Sequence, residues 1–99
     1  MDADIIKRLK AWFYLRLPAE DWIQFGTSAE QVLRTFDDDP DQEYALLEFA
    51  HTVIMVEAQK LDHDQKLSLQ IAAKRLDELK RLGIDMEQFI RAWDKMNER

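Results

Sequence analysis

Residues 40–61 read PDQEYALLEFAHTVIMVEAQKL, and the way apolar residues are spread along this stretch decides the fold. At helical spacing Leu46, Leu47, Phe49, Ala50, Val53, Ile54, Met55, Val56, Ala58 and Leu61 cover most of the circumference, leaving a narrow polar strip of Glu48, Thr52 and Gln59. A helix that is apolar nearly all round sits inside a domain, with other helices packed on several sides of it. Glu57, Gln59 and Lys60 interrupt the run, so it does not read as a membrane span. The pattern predicts a central helix over about 40–61.

Working outward, the flanking segments supply helices to surround it. Ile5, Ile6, Leu9, Trp12, Phe13 and Leu17 share one face of a helix over 2–16. Pro18 opens a short helical turn, PAEDWIQF, that Gly26 ends, and Thr27 or Ser28 can cap a segment carrying Val32, Leu33 and Phe36. After the central helix, Asp62 or Asp64 caps a helix to about residue 82 with one stripe of Leu69, Ala72, Ala73, Leu76 and Leu79. A second apolar line is Leu67, Ile71 and Leu82. Gly83 closes it, and Asp85 caps a last helix to residue 99 with Met86, Phe89, Ile90, Trp93 and Met96 at the helical period. Only two glycines and two prolines occur in 99 residues, which favours helix over a turn-dense β domain. The expectation is an all-α fold: a single helical domain over 1–99, built as a compact bundle of four main helices plus one short helix. The second apolar line either closes the core or pairs two subunits as a homodimer.

With no cysteine in the chain, disulfides and thiolate metal sites are excluded. The start MDADIIKRLK breaks its apolar residues with charge every two or three positions, unlike a signal peptide. The expected location is the cytoplasm. Charge is distributed unevenly. Residues 19–48 hold nine carboxylates against the single Arg34, a balance of −8, so the rest of the chain sums to +2 within the net −6. Such asymmetry suits an acidic face that steers a basic partner.

The densest acids, DDDPDQEYALLE over 37–48, place Asp37, Asp39, Asp41 and Glu48 where a calcium-binding EF-hand loop carries side-chain ligands. Gln42 stands where that loop needs glycine, Tyr44 where it carries a small aliphatic residue, and Pro40 restricts the backbone. A simpler reading makes Asp39 the helix cap, Pro40 the first helical residue and Gln42 the completion of a capping box. Asp37 and Asp38 are then surplus to capping.

Elsewhere, Glu48 and His51 have the Glu-x-x-His spacing of di-iron helices, but no second such pair accompanies them. His51 is expected to be a partly buried histidine with a hydrogen-bonding neighbour. Glu57 projects from an apolar side of the central helix and needs a partner, for which Arg16 is the candidate. Neither comes with a nucleophile or a phosphate-cradling glycine loop. The helix, Gly83 and helix order of 72–93 is unsuited to direct nucleic-acid binding, because the last helix has a balance of −1 over 85–99.

The function expected from these residues is a non-enzymatic protein–protein interaction module, without cofactor. It would be a small acidic inhibitor, immunity or antitoxin-like protein, or a nucleic-acid mimic that engages a basic nuclease, toxin or DNA-binding protein. The expected partner-binding residues are Glu20, Asp21, Glu30, Asp37, Asp38, Asp41 and Glu43. The alternatives are a calcium-responsive protein using 37–48 and a structural or adaptor protein whose acids only confer solubility.

Overall fold

Side-chain caps set where the helices begin in the computed structural model, which describes residues 1–98. Asp2 accepts the Ile5 N–H at 2.9 Å and starts α1 (Ala3–Arg16). Pro18 stands immediately before α2 (Ala19–Phe25) rather than as its first residue. Ser28 accepts the Gln31 N–H at 3.2 Å and starts α3 (Ala29–Arg34). Asp41 caps α4 (Gln42–Lys60), Asp64 caps α5 (Gln65–Leu82) and Asp85 caps α6 (Met86–Asn97). Gly83, at φ 102°, closes α5 in the left-handed conformation that glycine adopts without steric cost, and the Ile84 N–H returns to the Leu79 carbonyl at 3.2 Å.

The fold is all-helical. Among the described residues there are six helices and no strand, with two short helices, α2 and α3, in place of the one expected. Arg99, expected in the last helix, lies outside the described residues. No described helix is long and apolar enough to cross a membrane.

As its sequence implies, α4 is central: α1, α5 and α6 all pack on it, and Leu46, Leu47, Phe49, Ala50, Val53 and Ile54 are buried. Its last turns are less enclosed than the apolar run suggests, with Met55 exposed and Val56 and Ala58 half-buried. Phe49 joins the two short helices to this core. Its ring lies 4.9 Å from that of Phe13, 5.8 Å from Trp22, 5.4 Å from Phe25 and 5.3 Å from Phe36. Aromatic pairs at such separations each contribute about 0.5–1.5 kcal/mol beyond area burial.

The helix α5 is rotated from its expected register. Ala72, Leu76 and Leu79 of the predicted stripe pack on the core, but Leu69 and Ala73 are exposed, and Ser68, Arg75 and Leu82 complete the more buried side. Ser68 Oγ donates to the Ala58 carbonyl at 2.9 Å, and Arg75 is buried by its ion pairs with α4 and with its own helix. In the second apolar line Leu67 is exposed and Ile71 and Leu82 are half-buried.

Candidate functional site

Interior charge is the first place to look for chemistry, and here it closes on itself. Arg75 Nε and Nη2 donate to both oxygens of Glu57 at 2.8 and 2.7 Å, a bidentate pair, and its Nη1 donates to Glu78 at 2.8 Å. The other Glu78 oxygen accepts the Trp12 indole N–H at 3.0 Å and lies 3.5 Å from Arg16 Nε. The partner of Glu57 is therefore Arg75 and not Arg16. Arg16 serves Glu78, because α5 rather than α1 brings its arginine against that side of α4. Burial pushes the Glu78 carboxyl up, but the Trp12 hydrogen bond and the charges of Arg75 and Arg16 outweigh it and hold the group below its usual value.

His51 is 8% exposed, and its ring centroid lies 3.6 Å from that of Trp93 on α6. The expected hydrogen-bonding neighbour is missing at one nitrogen: Nδ1 is buried without a partner. Burial lowers the imidazole pKa, and the Glu48 charge offsets this only in part. Among the described residues no three metal-ligating side chains gather. The four acids of the calcium pattern are dispersed. Asp37 pairs with Lys10, Asp39 accepts the Asp41 N–H at 2.8 Å, Asp41 accepts the Tyr44 N–H at 3.3 Å, and Glu48 lies within α4.

The cap of α4 is thus Asp41, two residues later than expected. The Asp39 side chain folds back on the Asp41 N–H, holding the chain in a turn around Pro40 before the helix begins.

The seven acids expected to meet a partner divide by their surroundings. Glu20, Glu30 and Asp38 are exposed and make no ion pair with a described residue. Asp37 is exposed but pairs with Lys10, and Asp41 is exposed as the α4 cap. Asp21, 8% exposed, pairs with Lys60 at the end of α4. Half-buried Glu43 pairs with the amino group of Met1 and accepts from Gln88 Nε2 at 3.1 Å.

Apolar groups that sequence reasoning missed accompany the free acids. Ile23 is 68% exposed on α2 and Tyr14 46% exposed on α1, where the Tyr14 ring lies 5.9 Å from that of Trp22. Of the α2 aromatics, Trp22 is buried and Phe25 half-buried. A groove of about 340 Å³ is lined by Ala19, Trp22, Ile23, Thr27, Ser28, Ala29 and Glu30. Glu30 also lines a second groove with Lys10, Tyr14, Leu33, Arg34 and Asp37. The two form one surface across α1, α2 and α3. The available signal was the α2 wheel: with Asp21, Trp22 and Phe25 on one side, Ile23 falls on the other, beside Glu20. No protein-family model, curated protein or solved structure matches the chain.

Proposed function

We propose that the protein is a non-enzymatic interaction module, working in the cytoplasm, that engages a basic partner protein through the acidic surface of residues 20–48. In this reading α1, α4, α5 and α6 act as a four-helix bundle that carries α2 and α3 as the recognition element. The observation that carries it is the state of Glu20, Glu30 and Asp38: exposed carboxylates without an internal counterion, in a stretch whose one cation is Arg34. The charges of Arg75, Glu57, Glu78, Asp21 and Lys60 are engaged with one another rather than with a ligand site. The partner chemistry is a cationic surface such as the nucleic-acid site of a nuclease, toxin or DNA-binding protein, whose phosphate-binding groups carboxylates can occupy. Attraction of this kind accelerates association and is screened by salt.

The test is reversal of two charges that make no ion pair with a described residue, in a variant whose helical signal and melting stay close to those of the parent, since Glu30 also lies in the first turn of α3. With a partner in hand, Glu30→Lys combined with Asp38→Lys is expected to slow association on the order of tenfold at low salt and to flatten its salt dependence, with dissociation changed less. An association rate unaltered across the salt range would remove this surface from the interface.

A further inference from the structure

The groove beside Ile23 has an apolar floor, an acidic rim and no cation in its lining. Ala19, Trp22 and Ala29 contribute apolar surface, Ile23 stands largely in solvent, and Thr27 and Ser28 close one end. Trp22 packs on Phe49 and Tyr14, which sets its ring in the groove floor. The tight turn from α2 into α3 shapes the groove, since a Cβ on Gly26 would lie 2.5 Å from Val32 Cγ2. Glu30 is part of the lining, and Glu20 lies one helical turn before Ile23. By contrast, the adjoining groove holds its own cations, Lys10 and Arg34, with Lys10 paired to Asp37. Of the three unpaired acids, Glu30 thus lines the apolar groove and Glu20 stands a helical turn from Ile23 in it, while Asp38 lines neither groove.

We infer that this groove docks a short segment of the basic partner in which one bulky apolar side chain is flanked by lysine or arginine. The inference rests on the interaction reading above and names the chemistry it recognises. About 340 Å³ has room for an anchoring side chain and not for a whole helix. Burying that anchor against Ile23 and Trp22 supplies affinity that salt does not screen. Glu20 and Glu30 then select cationic flanks and reject acidic ones, whose like charges would be brought together.

The probes are short synthetic peptides with a central Leu, Phe or Ser and flanks of either lysine or glutamate. Their binding is read at low and high salt from the backbone amide signals of the full chain by NMR. Lysine-flanked peptides with central Leu or Phe should saturably shift Ile23, Thr27 and Glu30. A central Ser should weaken binding by about tenfold or more, as loss of an anchor does. Ile23→Ser, at an exposed position that leaves the core intact, should weaken it equally, and Glu20→Lys with Glu30→Lys should remove its salt dependence. Equal binding of the Leu and Ser peptides, or shifts confined to 37–39, would overturn the groove and leave the acidic-surface reading standing. Absence of binding by every lysine-flanked peptide at low salt, or equal binding of glutamate-flanked ones, would overturn both.

Discussion

Removing Arg75 strands the Glu57 carboxylate, only a quarter exposed, and takes one partner from Glu78, which keeps Trp12 and Arg16. Arg75→Ala is expected to cost about 2–3 kcal/mol in urea denaturation, as when a largely buried charge pair loses one member. Arg75→Lys should recover little, since an ammonium cannot reproduce the two-pronged contact with Glu57. A loss under about 1 kcal/mol, typical of surface pairs, would show the network to be solvated. His51 makes a separable demand, on pH. Its folded pKa lies below the ordinary 6.5, so between those two values the unfolded chain binds the proton and the folded chain does not. Its contribution is therefore whole above about pH 6.5, falls as pH drops through that value, and levels off below the folded pKa. The slope in denaturation midpoint between about pH 7.5 and 5.5 should flatten in His51→Phe, which keeps a ring against Trp93. Equal slopes would assign the pH dependence elsewhere. Glu78 acts in a lower window, its stabilisation being lost as pH falls from about 4.5 through its depressed pKa.

At the scale of elements, the start of α4 separates two neighbouring aspartates. Asp41→Ala should cost about 0.5–2 kcal/mol, the usual loss for an N-cap. Asp39→Ala should cost less, since it frees only the Asp41 N–H in an exposed turn, and Asp38→Ala should be nearly silent in thermal melts. The reverse order for Asp39 and Asp41 would place the cap where sequence reasoning put it. That two-residue error shows what local pattern cannot decide. Asp39-Pro40 and Asp41-Gln42 are both acceptable helix starts, and the choice lies in whether Asp39 turns back on the Asp41 amide. The start of α6 was legible because Asp85 alone preceded its apolar run, whereas at α3 and α5 the sequence offered two neighbouring caps, of which Ser28 and Asp64 serve. The register of α5 was not legible, because Arg75 on a helix face reads as solvent until Glu57 is known to wait opposite it. The acidic stretch was legible from composition, but which of its acids are free was not, since Asp21, Asp37 and Glu43 are paired from distant segments. Nor were the apolar companions of the free acids, because exposure of Ile23 and Tyr14 depends on how α1 and α2 cross.

Across the whole molecule the two charge poles differ in what satisfies them. Lys80 and Arg81 lie in the last turn of α5, where the helix dipole favours cations, and Arg8 donates to the Leu82 carbonyl there at 3.5 Å. The basic pole thus has an internal reason. The carboxylates of Glu20 and Glu30 have a weaker one, in the first turns of two short helices, and Asp38 has none; all three stand on or beside the least supported part of the fold. At seven and six residues, α2 and α3 are too short to be helical on their own. What holds them is the aromatic cluster at Phe49, the buried Val32 and Leu33 and the Asp21–Lys60 pair, whereas α4 is packed by three long helices. Native-state hydrogen exchange should therefore find the amides of 46–54 opening only with global unfolding, and those of 19–34 opening at lower free energy. Phe49→Leu removes the ring shared by Trp22, Phe25 and Phe36, and should accelerate exchange in 19–34 beyond its effect on overall stability. Uniform protection across α2, α3 and α4 would make the short helices an integral part of the core. A recognition element with so few anchors would instead gain protection when its groove is filled, because a bound segment adds contacts to two short helices.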